Sequence, residues 1–224
     1  MRTLQKTVKI FAAALCACLL TVSLLSGCAS NPDISADPAP LSAEQVEGMR
    51  EDYPICPGGS SIGSMLPTEL KDFLNDDYRI LYAEVSGPET TETRAINVEN
   101  VGGEEFDFYE VPLQVLYDSS GTFNKGEEIH IYQNTMFRDG MPAFEEGDRF
   151  VALAIDCFPF HQETSDIPRV EVSLQGFYYI TDDGHAIAAY EEPEYFQQNG
   201  VGLATLLENY EEIYAEMTAE QADQ

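Results

Sequence analysis

The ten residues from Tyr109 to Asp118, YEVPLQVLYD, set the reading of the whole chain. Tyr109, Val111, Leu113, Val115 and Tyr117 alternate with Glu110, Pro112, Gln114 and Leu116, the period of two that marks a strand with one buried face. Pro112 has no N–H to give to a ladder, so this strand needs a sheet edge or a bulge there. Upstream, YRILYAEVSG (78–87) places Leu81, Ala83 and Val85 on one face and predicts a second strand. Downstream, SSGTFNKGEE (119–128) reads as a turn, and EIHIYQ (128–133) returns with Ile129 and Ile131 inward.

Further out, RFVALAIDCF (149–158) is apolar on both faces, the pattern of a central strand covered on each side. Val170 to Ile180 predicts one more strand. Thr181-Asp182-Asp183-Gly184 then supplies a hairpin turn, and HAIAAY (185–190) pairs back. The acids Glu104, Glu105 and Asp107 are read as one loop, and Glu145, Glu146 and Asp148 as another. Beyond the strands, Leu203, Leu206, Leu207, Tyr210, Ile213, Tyr214 and Met217 recur at helical spacing and predict an amphipathic helix. Near the other end, Ser42 and Gln45 fit a capping box ahead of Val46 and Met49. Tyr53–Pro67 reads as irregular chain, and Thr68–Asn75 as two helical turns. The expected fold class is mainly β: a small antiparallel OB-like Greek-key barrel of five or six strands, short N-terminal helices and an amphipathic C-terminal helix.

The 224 residues carry 11 lysines and arginines against 40 acids, a net charge of −29. Such a body repels phosphate backbones, so nucleic acid is excluded as a partner. Hydrophobic residues make up 44% of the chain, enough for a packed core.

At the N-terminus, Arg2, Lys6 and Lys9 precede an apolar run, IFAAALCACLLTVSLL (10–25), which stops at Leu25-Ser26-Gly27-Cys28. This is the layout of a secretory signal, and the run is short for a spanning helix. Residues 25–28 resemble the lipobox of bacterial lipoproteins. The resemblance implies that Cys28 is alkylated by a diacylglycerol, that residues 1–27 are removed, and that the protein sits lipid-anchored on the extracytoplasmic face of the bacterial cell membrane. Removal would leave eight bases against 40 acids, a net −32. Ala29 to Pro40, with Pro32, Pro38 and Pro40, reads as an extended spacer. The expected organisation is a signal peptide at 1–27, lipidated cysteine and spacer at 28–40, an N-terminal extension at 41–77, the barrel at 78–192, and a helix with acidic tail at 193–224.

The succession ILYAEV (80–85), VPLQVLY (111–117), NKGEEIHI (124–131) and EGDRFVAL (146–153) is similar to uncharacterised lipoproteins of Gram-positive anaerobes whose bodies are OB-like barrels. That resemblance implies a fold and no chemistry.

For chemistry, Cys56 and Cys157 either form a disulfide closing a loop of about 100 residues or stay as a loop thiol and a buried apolar residue. Gly59-Ser60-Ser61-Ile62-Gly63 matches G-x-S-x-G, but no strand-to-helix turn surrounds it. His130, His161 and His185 have no i, i+4 partner and are expected as surface imidazoles; no metal and no cofactor is expected. The acidic groups read as solvated charge. Tyr78, Tyr82, Tyr132, Phe158 and Phe160 are the candidate ligand-binding residues, since OB-type barrels bind through aromatic faces. The expected function is a binding or assembly module for a peptide, glycan or protein, and not an enzyme. A surface hydrolase using acidic side chains is the alternative.

Overall fold

The computed structural model describes residues 37–56, 78–98, 102–157, 165–174, 176–192 and 196–222. The expected signal segment, Cys28, the Gly59–Gly63 motif, the turns predicted at Thr68–Asn75, and Phe158, Phe160 and His161 lie outside the described residues. In chain order the elements are α1 (Ala43–Gly48), β1 (Arg79–Val85), β2 (Thr90–Val98), β3 (Gly102–Asp118), β4 (Glu128–Asn134), a 3-10 turn (Thr135–Gly140), β5 (Arg149–Asp156), β6 (Arg169–Val172), β7 (Tyr178–Ile180), β8 (Ala186–Ala188) and α2 (Leu203–Ala222).

Five strands close into a barrel in the order β1-β3-β4-β6-β5 and back to β1. Each pair is antiparallel except β4 and β6, which run parallel through His130↔Arg169 and Ile131↔Val170. The OB-like barrel expected from the alternation is present, but it is mixed where an antiparallel one was expected. The reason is parity: a closed ring with an odd number of strands cannot alternate direction throughout, so one pair must be parallel.

Pro112 occupies neither a sheet edge nor a bulge. One side of β3 carries β2 opposite residues 102–110 and β1 opposite 113–118. Pro112 falls in the gap between them. Its carbonyl accepts from Ser86 N at 2.9 Å. In an extended strand a residue's N and C=O point the same way, so the missing donor faces this gap, where no ladder bond is required.

The far side of β5 is shared in the same manner, by β6 opposite 154–156 and by β7 opposite 149–151. The single strand expected over Val170–Ile180 is therefore two, separated by an excursion in which Gly176 takes φ +69°. Tyr210 of α2 fills this break, its Oη donating to Gly176 O at 2.7 Å. The acids Glu104, Glu105 and Asp107 lie on β3 rather than in a loop, in a ribbon with β2. Hydrophobic periodicity missed this ribbon because Thr91, Thr93, Ala95, Glu105 and Asp107 are exposed. Thr93 Oγ1 donates to Asp107 Oδ1 across the strands at 2.6 Å.

The barrel interior holds most of the faces expected inward: Leu81, Ala83 and Val85 from β1, Tyr109, Val111, Leu113 and Val115 from β3, and Ile129 and Ile131 from β4. Tyr117, expected on the same face as Val115, packs with the outer cluster instead, because the register shifts by one residue at Leu116 opposite Tyr82 and Ala83. Ile80, Tyr82, Val151 and Leu153 face outward instead and are covered by Leu203, Leu206, Leu207 and Tyr210 of α2. That cover explains why β5 is apolar on both sides. The hairpin of β7 and β8 forms as expected, with Gly184 at φ +87°.

Ser42 caps α1 in the predicted box: its Oγ accepts from Gln45 N, and Gln45 Oε1 accepts from Ser42 N at 2.8 Å. The end of the spacer is not free, however. Asp37 accepts from Ala204 N at 2.9 Å, Thr205 N at 2.7 Å and Thr205 Oγ1 at 2.5 Å, so it caps α2 from 167 residues away. Its carboxyl is held below the ordinary 3.8, because these bonds and nearby His185 outweigh the opposing effect of burial.

Candidate functional site

The outer face of β2, β3, β4 and β6 gathers charge and aromatic rings, where OB-type barrels carry ligands. Glu110 Oε1 accepts from Arg169 Nε at 2.8 Å and lies 2.8 Å from His130 Nδ1. Phe108 stacks on Tyr132 with centroids 4.9 Å apart, and the Arg169 guanidinium lies 4.0 Å from the same ring. Both faces of Tyr132 are thereby occupied, and its hydroxyl donates to Glu92 at 2.6 Å. Arg169 and Tyr132 are buried. Burial would push the Glu110 carboxyl up; the bonds from Arg169 and His130 outweigh it and hold it below the ordinary range. This cluster ties β3, β4 and β6 together at the parallel closing pair.

Tyr132 is therefore a packing residue and not a ligand platform. Tyr82 is buried under α2. The two described histidines, His130 and His185, depart from the expected surface position as well. His130 is largely covered within this cluster, and His185 is buried, with Nε2 3.1 Å from Ala39 O and Nδ1 3.0 Å from Asp183 Oδ1. The two thiols form no disulfide. Cys56 Sγ contacts Tyr179 Oη and Cys157 Sγ contacts Tyr132 O, each at 3.5 Å, on opposite sides of the barrel wall. Cys157 stands on the outer face, beside Phe108, while Cys56 packs with the interior residues.

Of the aromatic candidates, Tyr78 borders two clefts. The wider, of about 450 Å³, lies where the start of β1 and the end of β3 meet α2. Its rings are Tyr78, Tyr117 and Tyr214, and its hydroxyls Ser119, Ser120 and Thr122. Ser119 Oγ accepts from Ile80 N at 2.9 Å, and so keeps its own proton to donate. Asp118 fixes the turn by accepting from Ser120 N at 3.0 Å and Phe123 N at 2.9 Å. Tyr117 Oη donates to Glu211; burial first, then that carboxylate, raise the phenol's pKa.

Arg79 lies at the base of this cleft, its side chain 7% exposed. One terminal nitrogen meets Asp156 at 2.5 Å, and the guanidinium sits 4.8 Å over Phe123. Its Nε and other terminal nitrogen are buried with no hydrogen-bond acceptor among the described residues. The narrower cleft, of about 180 Å³, is walled by Tyr78, Phe137, Ile155 and Leu174 with Glu171 of β6 among them. Burial pushes the Glu171 carboxyl above its ordinary range.

Neither cleft pairs a nucleophile with a histidine base, and among the described residues no group of three His, Cys, Asp or Glu is placed to hold a metal ion. Aromatic rings, hydroxyls and one arginine–aspartate pair suit binding of a polar, uncharged ligand. Sequence reasoning missed Arg79 and Glu171 because periodicity assigns a face and not a partner: Arg79 shares the phase of the inward Leu81, Ala83 and Val85, and Glu171 has the outward phase between Val170 and Val172. Compared with known protein families, curated proteins and solved structures, the chain matches none.

Proposed function

We propose that this protein is a lipid-anchored extracytoplasmic binding module, attached to the cell membrane through Cys28, whose wider cleft takes a neutral glycan segment. The cleft carries the proposal. Its volume of about 450 Å³ falls within the roughly 300–1,000 Å³ of small-molecule sites. Three tyrosines offer apolar faces to sugar C–H groups, and three hydroxyls offer donors and acceptors to sugar hydroxyls. A net charge of −29 disfavours polyanions and leaves neutral ligands unaffected.

The test is calorimetric titration of the residue 37–224 body with neutral oligosaccharides, maltohexaose and chitohexaose, alongside Tyr214→Ala and Ser119→Ala. Saturable binding to the parent and a loss of about tenfold or more in Tyr214→Ala support the reading. Equal binding by parent and both variants, or none by any, overturns it. Release of new reducing ends during the titration would replace binding with hydrolysis.

A further inference from the structure

The narrower cleft beside Tyr78 differs in kind from the wider one. Val170 and Val172 point into the barrel, so Glu171 between them points out, toward a recess walled by Tyr78, Phe137, Ile155 and Leu174 together with Gln133, Val172 and Ser173. Its carboxylate has no hydrogen-bond or ion partner among the described residues. With 11 lysines and arginines for 40 acids most carboxylates have no cation beside them, but Glu171 differs from the solvated ones in facing a recess where burial disfavours its charge. An unpaired carboxylate in apolar surroundings is costly to keep charged, and a cation entering the recess removes that cost. Two aromatic rings in the same wall add attraction for a positive group.

We propose that this recess is a subsite for an alkylammonium group, the head of a lysyl side chain or of an amino sugar, with Glu171 as its counter-ion. Its volume of about 180 Å³ admits one such group and excludes a larger ligand. The surrounding field of a −29 chain draws cations toward it and keeps anions out. The subsite stands apart from the glycan reading, since Glu171 does not line the wider cleft.

Amide chemical-shift titrations of the full chain with N-acetyl-lysine methylamide in one arm and glucosamine in the other test it. N-acetyl-norleucine methylamide serves as the uncharged control. The expected result is saturable shifts at Glu171, Ser173 and Leu174 with at least one amine, and none with the norleucine compound. The arm that saturates identifies the source of the ammonium. Glu171→Gln keeps the shape and removes the charge, and should weaken amine binding by about tenfold or more. It should leave the melting temperature equal to or above the parent's, and any oligosaccharide affinity unchanged. No saturable shift with either amine, equal shifts with the norleucine compound, or undiminished amine binding by Glu171→Gln overturns the proposal. Failure of neutral oligosaccharides alone bears only on the wider cleft.

Discussion

Replacing Glu110 with alanine should unfasten the barrel at its parallel seam. The β4–β6 ladder has only two register pairs, His130↔Arg169 and Ile131↔Val170. Glu110, on the neighbouring β3, holds both sides of that seam through Arg169 Nε and His130 Nδ1, each at 2.8 Å. Charge-assisted hydrogen bonds are worth about 1.5–3 kcal/mol each, and removing one partner of a buried pair costs about 3–5 kcal/mol. Arg169 is 5% exposed and Glu110 18%, so some solvent screening applies, and Arg169 retains Glu92 at 3.7 Å as a weaker partner. About 3 kcal/mol is the expected loss, or roughly 6–12 °C in Tm for a chain of this size. Glu110→Gln keeps an acceptor and should lose about half as much. The pH dependence follows from the same geometry. A carboxyl held below its unfolded value of 4.5 contributes stability above that pH, and loses the contribution as pH falls through the lower folded value. Urea melts of parent and variant should therefore differ by more at pH 7 than at pH 3. A Glu110→Ala melt within about 0.5 kcal/mol of the parent at pH 7, or a gap undiminished at pH 3, would refute the stapling role.

Asp37→Ala should cost about 1–2 kcal/mol and raise amide exchange at Ala204 and Thr205, whose N–H groups it caps. In the parent this contribution is present above the ordinary carboxyl value of 3.8 and disappears as pH falls through the depressed folded one, measurable by exchange at two pH values. Tyr210→Phe leaves Gly176 O without its donor and should destabilise by about 1–3 kcal/mol in denaturant melts, whereas truncation before Leu203 should unfold the barrel by exposing Ile80, Val151 and Leu153, as circular dichroism would show. Burial pushes the Cys157 thiol far above its usual range, so it should resist iodoacetamide in the folded protein and react once unfolded, giving a stoichiometric mass shift only in denaturant. Cys28→Ser should abolish lipid labelling and move the protein out of the membrane fraction, and sedimentation unchanged from the parent would end the anchoring proposal.

The short-range features of this fold were legible from the residues alone. Alternation in YEVPLQVLYD, ILYAEV and EIHI assigned the inward faces of β3, β1 and β4, the three- and four-residue spacing of Leu203, Leu206, Leu207 and Tyr210 gave α2, and Ser42 with Gln45 gave the cap of α1. Each rests on neighbours two to four positions apart, which a period or a cap records directly. Tertiary structure decided the rest. The parallel closing pair follows from an odd ring, Pro112 is accommodated by a gap between two other strands, and Asp37 caps a helix 167 residues away. Tyr132 and Tyr78 read alike as aromatic residues on or beside strands, yet one is sandwiched between Phe108 and Arg169 and the other borders two clefts. Arg79 falls on the inward phase of β1 and Glu171 on the outward phase of β6, but only the packing of distant segments determines that the first meets an acid and that the second has no partner among the described residues. Periodicity places a side chain on one face of its own strand; which group meets it there depends on chain closure, and that is set by residues far away in sequence.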